Sequence, residues 1–544
     1  MEFASWVRQY SGAPSLDTSS ACLANRYGPC LTHKGGNIPF LGIDVGTSGT
    51  RALIMDERGR VVASGTEDHA PFATPHKGWA EQDPRDWWRA FRQAVGLALH
   101  SAGITGDHIA CVGFSGQMHG AVLLDAQDEV VRPAIIWCDQ RTEQQVQELS
   151  NLFGEDRLIR LTCNPPLTNF TLTKLLWVRE NEPQNWQRVT RIMLPKDCVR
   201  FWLTGESAVD VADASGTLLL DVAKRTWSSE ILSKTGIEKQ LLPSLWESPE
   251  VCGRISARGA AATGLRAGTP VVAGAGDQAA GAVGMGIVSP GAVSATIGTS
   301  GVVFAATETP ALDPHGRIHT FCHAIPGCWH VMGVTQSAGL SLRWFRDRFG
   351  AGVEDGRDAY ECLTEEAAAA PAGADGVFWV PYLMGERTPH CDPKARAALI
   401  GLSATHTRAH VIRALLEGVA FSLRDSLTIF REMNLPLEHI RLGGGGARSS
   451  LWRQIQADVY GCTVEVLQAE EGAAYGAAIL AGVGARHWGS VDEACAAVIQ
   501  VAHQIRPHQP NVAVLQRAYQ KYRKIYPALR EVLKDSDAGA DTHR

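Results

Sequence analysis

Apolar positions at the start of the folded chain come in short, nearly unbroken runs. Leu41-Gly42-Ile43-Asp44-Val45 is followed by the turn Gly46-Thr47-Ser48-Gly49 and then by Arg51 to Met55. Runs of this length, punctuated by glycine, predict strands buried on both faces. The turn Asp56-Glu57-Arg58-Gly59 sends the chain back through Arg60 to Ser64, so Leu41 to Gly65 reads as a meander. The period then changes to four at Trp87, Phe91, Val95 and Leu99, which predicts a helix with a core-facing stripe, Asp83 as its N-cap and Pro84 as its first residue. Ile109 to Phe114 is again a buried-strand pattern. It ends in Ser115-Gly116-Gln117-Met118-His119-Gly120, and polar side chains crowded there, just before strand Ala121 to Leu124, suit a ligand-reading loop. A lone histidine is more often structural than ligand-touching, so both readings of His119 stand at this point. Helices are expected at Asp139, which reads as a cap, at Thr171 and at Pro195; Lys196 reads as a solvated lysine rather than an anion contact.

The stretch Val271 to Phe304 repeats the opening arrangement. An apolar run ends among small residues at Asp277-Gln278, and Ile297 leads into a second Gly-Thr-Ser-Gly, residues 298–301, between the β-rich runs Ser294–Ile297 and Val302–Phe304. A carboxylate set among glycines and apolar residues is costly unless it has a cation, a donor or a reacting proton to serve, which points to chemistry at Asp277. Two strand–turn–strand units with the same turn and an aspartate nearby suggest a duplicated half-protein whose turns grip one phosphate chain. A hairpin turn and a strand-ending Asp44 are the blander alternatives. Further on, an amphipathic helix is expected from about His410 to Phe430. Strand Ile440–Leu442 then runs into Gly443 to Gly446 and a helix ending at Tyr460, a geometry in which backbone approaches a planar or anionic ligand. The small residues Gly472 to Ala478 permit either a flat ring or close helix packing.

Length and composition narrow these readings. The 544 residues allow several domains, and the 45% hydrophobic and 20% charged content is that of an ordinary globular protein. A net charge of −6 with no basic cluster argues against nucleic acid, and no apolar run is long enough for a membrane span. The 13 cysteines are scattered, without CxxC pairs, and read as reduced cytoplasmic thiols. Residues 1–39 lack a secretory core and are expected to be a disordered extension.

Taken together, the parts resemble the FGGY carbohydrate kinases over about residues 40–530. Two long patterns carry the resemblance: Phe170-Thr171-Leu172-Thr173-Lys174-Leu175-Leu176-Trp177-Val178, and Ala397 through Gly401-Leu402 and His410 to Ala414-Leu415-Leu416-Glu417. Within the family, Gly116-Gln117-Met118-His119-Gly120, Leu194-Pro195-Lys196-Asp197 and Tyr382 to Pro389 look like the members that act on xylulose. Gln278 departs from them, because they often carry Asn there and glycerol kinases carry Gln. The resemblance implies an α/β, two-domain, actin/Hsp70/hexokinase-like (ribonuclease H-like) fold with a cleft between lobes that close over the reactants. It implies an N-terminal domain at 40–285 on the sugar and phosphate side, a C-terminal domain at 286–530 on the ATP side, and a disordered tail at 531–544. It also implies an activity: MgATP-dependent phosphorylation of D-xylulose at its primary hydroxyl. Another ketose or polyol, a non-catalytic ATPase of the same fold and a nicotinamide-dependent oxidoreductase are the rivals. Residue by residue, Asp277 is the implied base and Asp44 the Mg²⁺ partner, with Met118, His119, Asp277 and Gln278 around the sugar. Gly46, Thr47, Ser48, Gly298 and Thr299 would hold phosphates, and Gly444, Gly445, Arg448 and Gly472 would surround adenosine. The expected partners are a small sugar and no nucleic acid or membrane, for a monomer or homodimer.

Overall fold

The computed structural model describes residues 39–350, 357–468 and 472–534. The expected N-terminal extension, apart from Pro39, and the tail beyond residue 534 lie outside the described residues. Residues 531–534 end a helix, Gln509–Lys534. The chain divides into two compact units, one of residues 1–283, 324–326 and 472–498, the other of 284–323, 327–471 and 499–544.

In the first unit the predicted meander forms. Strand β1 (Phe40–Val45) pairs antiparallel with β2 (Gly49–Met55), and β2 antiparallel with β3 (Val61–Asp68). On its other side β1 runs parallel to β4 (Cys111–Gly116), which is parallel to β5 (Pro270–Val272) and, further along, to β6 (Ala275–Gly276). Strand Val251–Arg254 closes that edge. Continuous apolar runs put β1 and β4 in the sheet centre, where both faces are covered. Helix α1 (Pro84–Ala102) buries Trp87, Phe91, Val95 and Leu99 as the period of four predicts, and the Asp83 side chain accepts from Arg85 N as its cap. The remaining helices used below are α2 (Thr171–Asn181), α3 (Pro195–Thr204) and α4 (Asp277–Gly284).

The second unit repeats the strand order. Strand β7 (Gly291–Ile297) pairs antiparallel with β8 (Gly301–Thr307) and β8 with β9 (Trp329–Thr335), while β7 is parallel to β10 (Leu437–Gly444) and β10 to β11 (Val464–Leu467). Each sheet therefore reads third, second, first, fourth, fifth strand across its core, which is what a duplicated unit requires. Helix α5 (Gly339–Phe349) follows β9; α6 (Arg408–Glu432) is the long helix expected at 410–430; α7 (Ser450–Tyr460) follows the glycine run. The core of this unit packs Ile412, Leu416, Val419 and Leu423 of α6 with Val293 and Ala295 of β7 and Ile440 of β10.

Beside the expected domains at 40–285 and 286–530, one late segment packs with the first unit. Residues 472–498 return to the first unit because α8 (Gly472–Gly484), built of Gly, Ala and a few larger apolar residues, seats directly on the sheet glycines. A Cβ on Gly42 of β1 would fall 1.9 Å from Ala474 O, and one on Gly113 of β4 would fall 2.0 Å from Ala477 O. The small residues of α8 thus serve helix–sheet contact. No helix among the described residues is long and apolar enough to cross a membrane, and the described cysteines are free thiols.

Candidate active site

Strand register brings the two key carboxylates to one end of the first sheet. Asp44 of β1 lies opposite Ser115 of β4, and Ser115 opposite Ala275 of β6; Val45, Gly116 and Gly276 form the next row. One residue further on, Asp277 opens α4. Burial pushes the Asp277 carboxyl up to about 7, with the charge of Asp44 adding to the effect and Gln278, whose Nε2 donates to Oδ1 at 3.3 Å, opposing it. Burial likewise pushes Asp44 up to about 6, against the Ser115 hydroxyl and the Arg51 charge. Oδ1 of Asp44 is buried with no hydrogen-bond partner among the described residues. Two carboxylates, one orphaned and both reluctant to ionise together, make a site for a cation and a proton. Asp277 therefore belongs with Asp44.

Met118 packs against Gly276, the residue before Asp277, and His119 against Gly216. A Cβ on Gly276 would meet Met118 Cγ at 2.8 Å and Asp213 Oδ1 at 3.3 Å, and one on Gly216 would meet His119 Nδ1 at 2.7 Å and Met118 Cε at 3.2 Å. The His119 ring stands edge-on to Phe170, and Nδ1 lies 2.7 Å from Gly216 O. A carbonyl only accepts, so Nδ1 carries the hydrogen of this bond.

Lys196 is not solvated. Its ammonium is fully buried, 2.6 Å from Asp197 Oδ1, 2.6 Å from Asp210 Oδ2 and 3.3 Å from Asp213 Oδ2, and Arg200 lies 3.1 Å from Asp197 Oδ1. Burial works against the Lys196 charge, but the three carboxylates outweigh it and hold its proton affinity above that of an ordinary lysine. The cluster anchors the segment Asp210–Thr217, which delivers the Gly216 carbonyl to His119. Asp139 does not cap the helix at Glu143–Phe153; it pairs with Arg141 and accepts from Ala80 N at 2.6 Å.

The first Gly-Thr-Ser-Gly turn joins β1 to β2, and side chains hold it from behind. Thr47 O accepts from Gln82 Nε2 at 2.8 Å, Gly46 O accepts from Gln117 Nε2 at 3.3 Å, and Thr47 Oγ1 accepts from the Trp137 indole at 2.9 Å. Trp87, predicted only as core, donates through its indole to Gln82 Oε1 at 3.2 Å. With its carbonyls occupied and the Gly46 amide donating to Gly49 O, the turn offers the amides of Thr47 and Ser48 and the exposed Ser48 side chain to an anion.

In the second unit the equivalent turn joins β7 to β8 with Gly298, Thr299 and Ser300 exposed. Its carbonyls are taken by the start of α5: Gly339 N donates to Gly298 O, and Ala338 N and Leu340 N donate to Thr299 O. Arg343 of α5 donates to Thr299 Oγ1 at 3.1 Å, so a guanidinium stands at this turn that sequence reasoning missed. It stands in the second turn of α5. Ile297 is level with Gly444 in the β7–β10 register, so Gly298, Thr299, Gly444, Gly445 and the exposed Arg448 come together. Gly444 has φ +73°, and a Cβ there would fall 2.5 Å from Ile297 O, so only glycine fits. Gly472, by contrast, opens α8 in the first unit.

The model of the FGGY family of carbohydrate kinases, N-terminal domain, matches residues 40–284, and that of the C-terminal domain matches 293–485. A Bacillus subtilis protein named xylulose kinase is 38% identical over 492 residues, covering 90% of this chain and 97% of the relative. The crystal structure of xylulose kinase from Rhodospirillum rubrum superposes with a TM-score of 0.84 at 30% identity, covering 91% of this chain and 100% of that one. A gluconate kinase structure from Lactobacillus acidophilus also gives 0.84, at 25% identity over 91% and 98% of the two chains, so the fold by itself does not separate substrates. The family models, the long relatives and the paired sheets together place this chain in the FGGY family of carbohydrate kinases.

Proposed function

We propose that the chain transfers the γ-phosphoryl group of MgATP to the primary hydroxyl of D-xylulose, giving D-xylulose 5-phosphate and ADP. The observation that carries the reading is Asp277: a half-buried carboxyl, held up at about 7, one residue after the Gly276 against which Met118 packs. As the sugar oxygen bonds to phosphorus and the bond from phosphorus to the β–γ bridging oxygen breaks, Asp277 takes the hydroxyl proton. A base with an affinity near neutrality does this with a useful fraction ionised at pH 7. Gln278, donating to Oδ1, keeps the carboxylate turned toward the acceptor. Met118 and His119 read the ketose, with the His119 ring held in place by the Gly216 carbonyl.

Mg²⁺ fits the orphaned Oδ1 of Asp44, since this ion favours one or two carboxylates with the rest of its shell left to water and phosphate, and bound there it would neutralise phosphate charge. Gly46, Thr47 and Ser48 in one unit and Gly298 and Thr299 in the other suit phosphate oxygens. Gly444, Gly445 and Arg448 suit the nucleoside, with Gly472 at the start of α8. The name carried by the 38%-identical relative supports D-xylulose as acceptor.

The test is ADP release with MgATP against D-xylulose, L-xylulose, D-ribulose, L-ribulose, glycerol and gluconate, beside a sugar-free control. Stimulation by D-xylulose above all others is the expected result. Stimulation chiefly by another acceptor would overturn the pocket reading, and no stimulation by any of them would leave an ATPase or a silent relative.

A further inference from the structure

Lys174 is the least expected charge in the molecule. It sits in the first turn of α2, the end of a helix that disfavours a cation, and it is fully buried. No carboxylate is within ion-pair distance among the described residues; its ammonium instead donates to two main-chain carbonyls, His119 O at 2.7 Å and Asn169 O at 2.6 Å. Thr171, one turn earlier on the same helix, donates to His119 O as well, at 3.1 Å. The residue they grip is itself unusual, because His119 has φ +67°, a left-handed conformation disfavoured for a side chain of that size. Its ring is fixed from the other side by Gly216 O and Phe170.

A buried cation at the wrong end of a helix costs stability, and a strained backbone adds to the cost. Burial lowers the Lys174 proton affinity to about 7, despite the opposing charge of Asp139, which reports the same expense. An uncharged side chain would fill this space more cheaply, so the arrangement calls for a use. The use available is the geometry of His119.

We propose that Lys174, with Thr171, is a positioning residue that holds His119 in its left-handed conformation and so sets the site's selectivity among ketoses. This rests on the reading of His119 as a sugar contact. The helix in the long family pattern at 170–178 thereby acts on the substrate through the backbone of the loop at 117–120. Without the clamp His119 relaxes to an ordinary backbone conformation, its ring leaves the Gly216 carbonyl, and the hydroxyl it reads loses its partner.

The experiment compares Lys174→Met, Thr171→Val, His119→Ala and the His119→Ala/Lys174→Met double variant for KM and kcat with D-xylulose, D-ribulose and ATP. Lys174→Met should raise the D-xylulose KM about 10- to 100-fold, as loss of a charge-assisted hydrogen bond does, with kcat and the ATP KM within about threefold. The preference for D-xylulose over D-ribulose should narrow with it. Thr171→Val, which removes the longer bond and leaves the lysine, should raise the KM about two- to fivefold and serves if Lys174→Met does not fold. In the His119→Ala background Lys174→Met should add almost nothing.

An unchanged D-xylulose KM and preference in Lys174→Met, or in Thr171→Val where only that variant folds, overturns the proposal while leaving the sugar contact intact. Full additivity in the double variant overturns it too, because the lysine would then act by another route. If His119→Ala itself leaves the D-xylulose KM unchanged, the pocket reading falls and takes the clamp with it.

Discussion

Gly46-Thr47-Ser48-Gly49 and Gly298-Thr299-Ser300-Gly301 join the first two strands of sheets with the same strand order, yet the residue two places before each turn differs: Asp44 in the first, Thr296 in the second. The supports differ as well. Side chains from distant elements, Gln82, Gln117 and Trp137, hold the first turn, whereas the backbone at the start of α5 holds the second. One unit has therefore gathered two half-buried carboxyls beside its turn, and the other has a guanidinium, Arg343, beside its own. The same loop is thus flanked by carboxyls in one half and by a guanidinium in the other. Duplication supplied the turn; the flanking side chains decide what each turn does.

The largest break in this comparison comes from Asp277→Asn. With the base gone, kcat for D-xylulose should fall about 10³-fold while the ATP KM stays within about threefold, measured as steady-state ADP release. Near-normal turnover would move the base elsewhere. A more direct exchange gives the first turn the second's residue. Asp44→Thr should lower kcat about 10²-fold and raise the Mg²⁺ concentration needed for half-maximal rate, whereas Thr296→Val in the second unit should change either quantity less than about twofold. Comparable losses from both would mean that the turns share one role. On the other side, Arg343→Gln should raise the ATP KM about 5- to 10-fold and leave the D-xylulose KM alone, because only a charge-assisted contact at Thr299 is weakened. A change confined to the sugar KM would place Arg343 with the acceptor.

Legibility in the sequence followed the range of the interactions. The strands, the turns and the stripe Trp87, Phe91, Val95 and Leu99 were readable because period and glycine punctuation are local signals, and the structure bears them out. The meeting of Asp44 with Asp277 was legible only through the family resemblance, because it depends on β6 pairing with β4 across more than 150 intervening residues of chain. The return of α8 to the first sheet escaped for a similar reason: small residues in a helix do not say which surface they approach. Lys196 was misread as solvated because its three counter-charges are only partly adjacent. Asp210 and Asp213, acidic residues within the otherwise apolar run Ala208 to Ala214, were the clue, since two such carboxylates need a buried cation nearby.

The smallest effect tests the acidic side without any catalysis. Asp277 and Asp44 ionise in the folded chain only near 7 and 6, against 3.8 for an ordinary aspartate, so between about pH 4 and 7 the folded state holds protons that the unfolded state has released. Their contribution to stability is thus fully present below about pH 4 and is lost as pH rises through about 7, the reverse of a salt-bridged aspartate. Asp277→Asn removes one ionisation and relieves the other. Without Mg²⁺ or substrate the variant should melt above the parent by about 1–2 kcal/mol at pH 8, a few degrees in Tm, with the gap closing toward pH 4. Other titrating groups are common to both chains and cancel in the difference. A gap that stays flat across this range would mean that the carboxylates do not share one buried site, and the proton-handling role assigned to the first turn would lose its electrostatic basis.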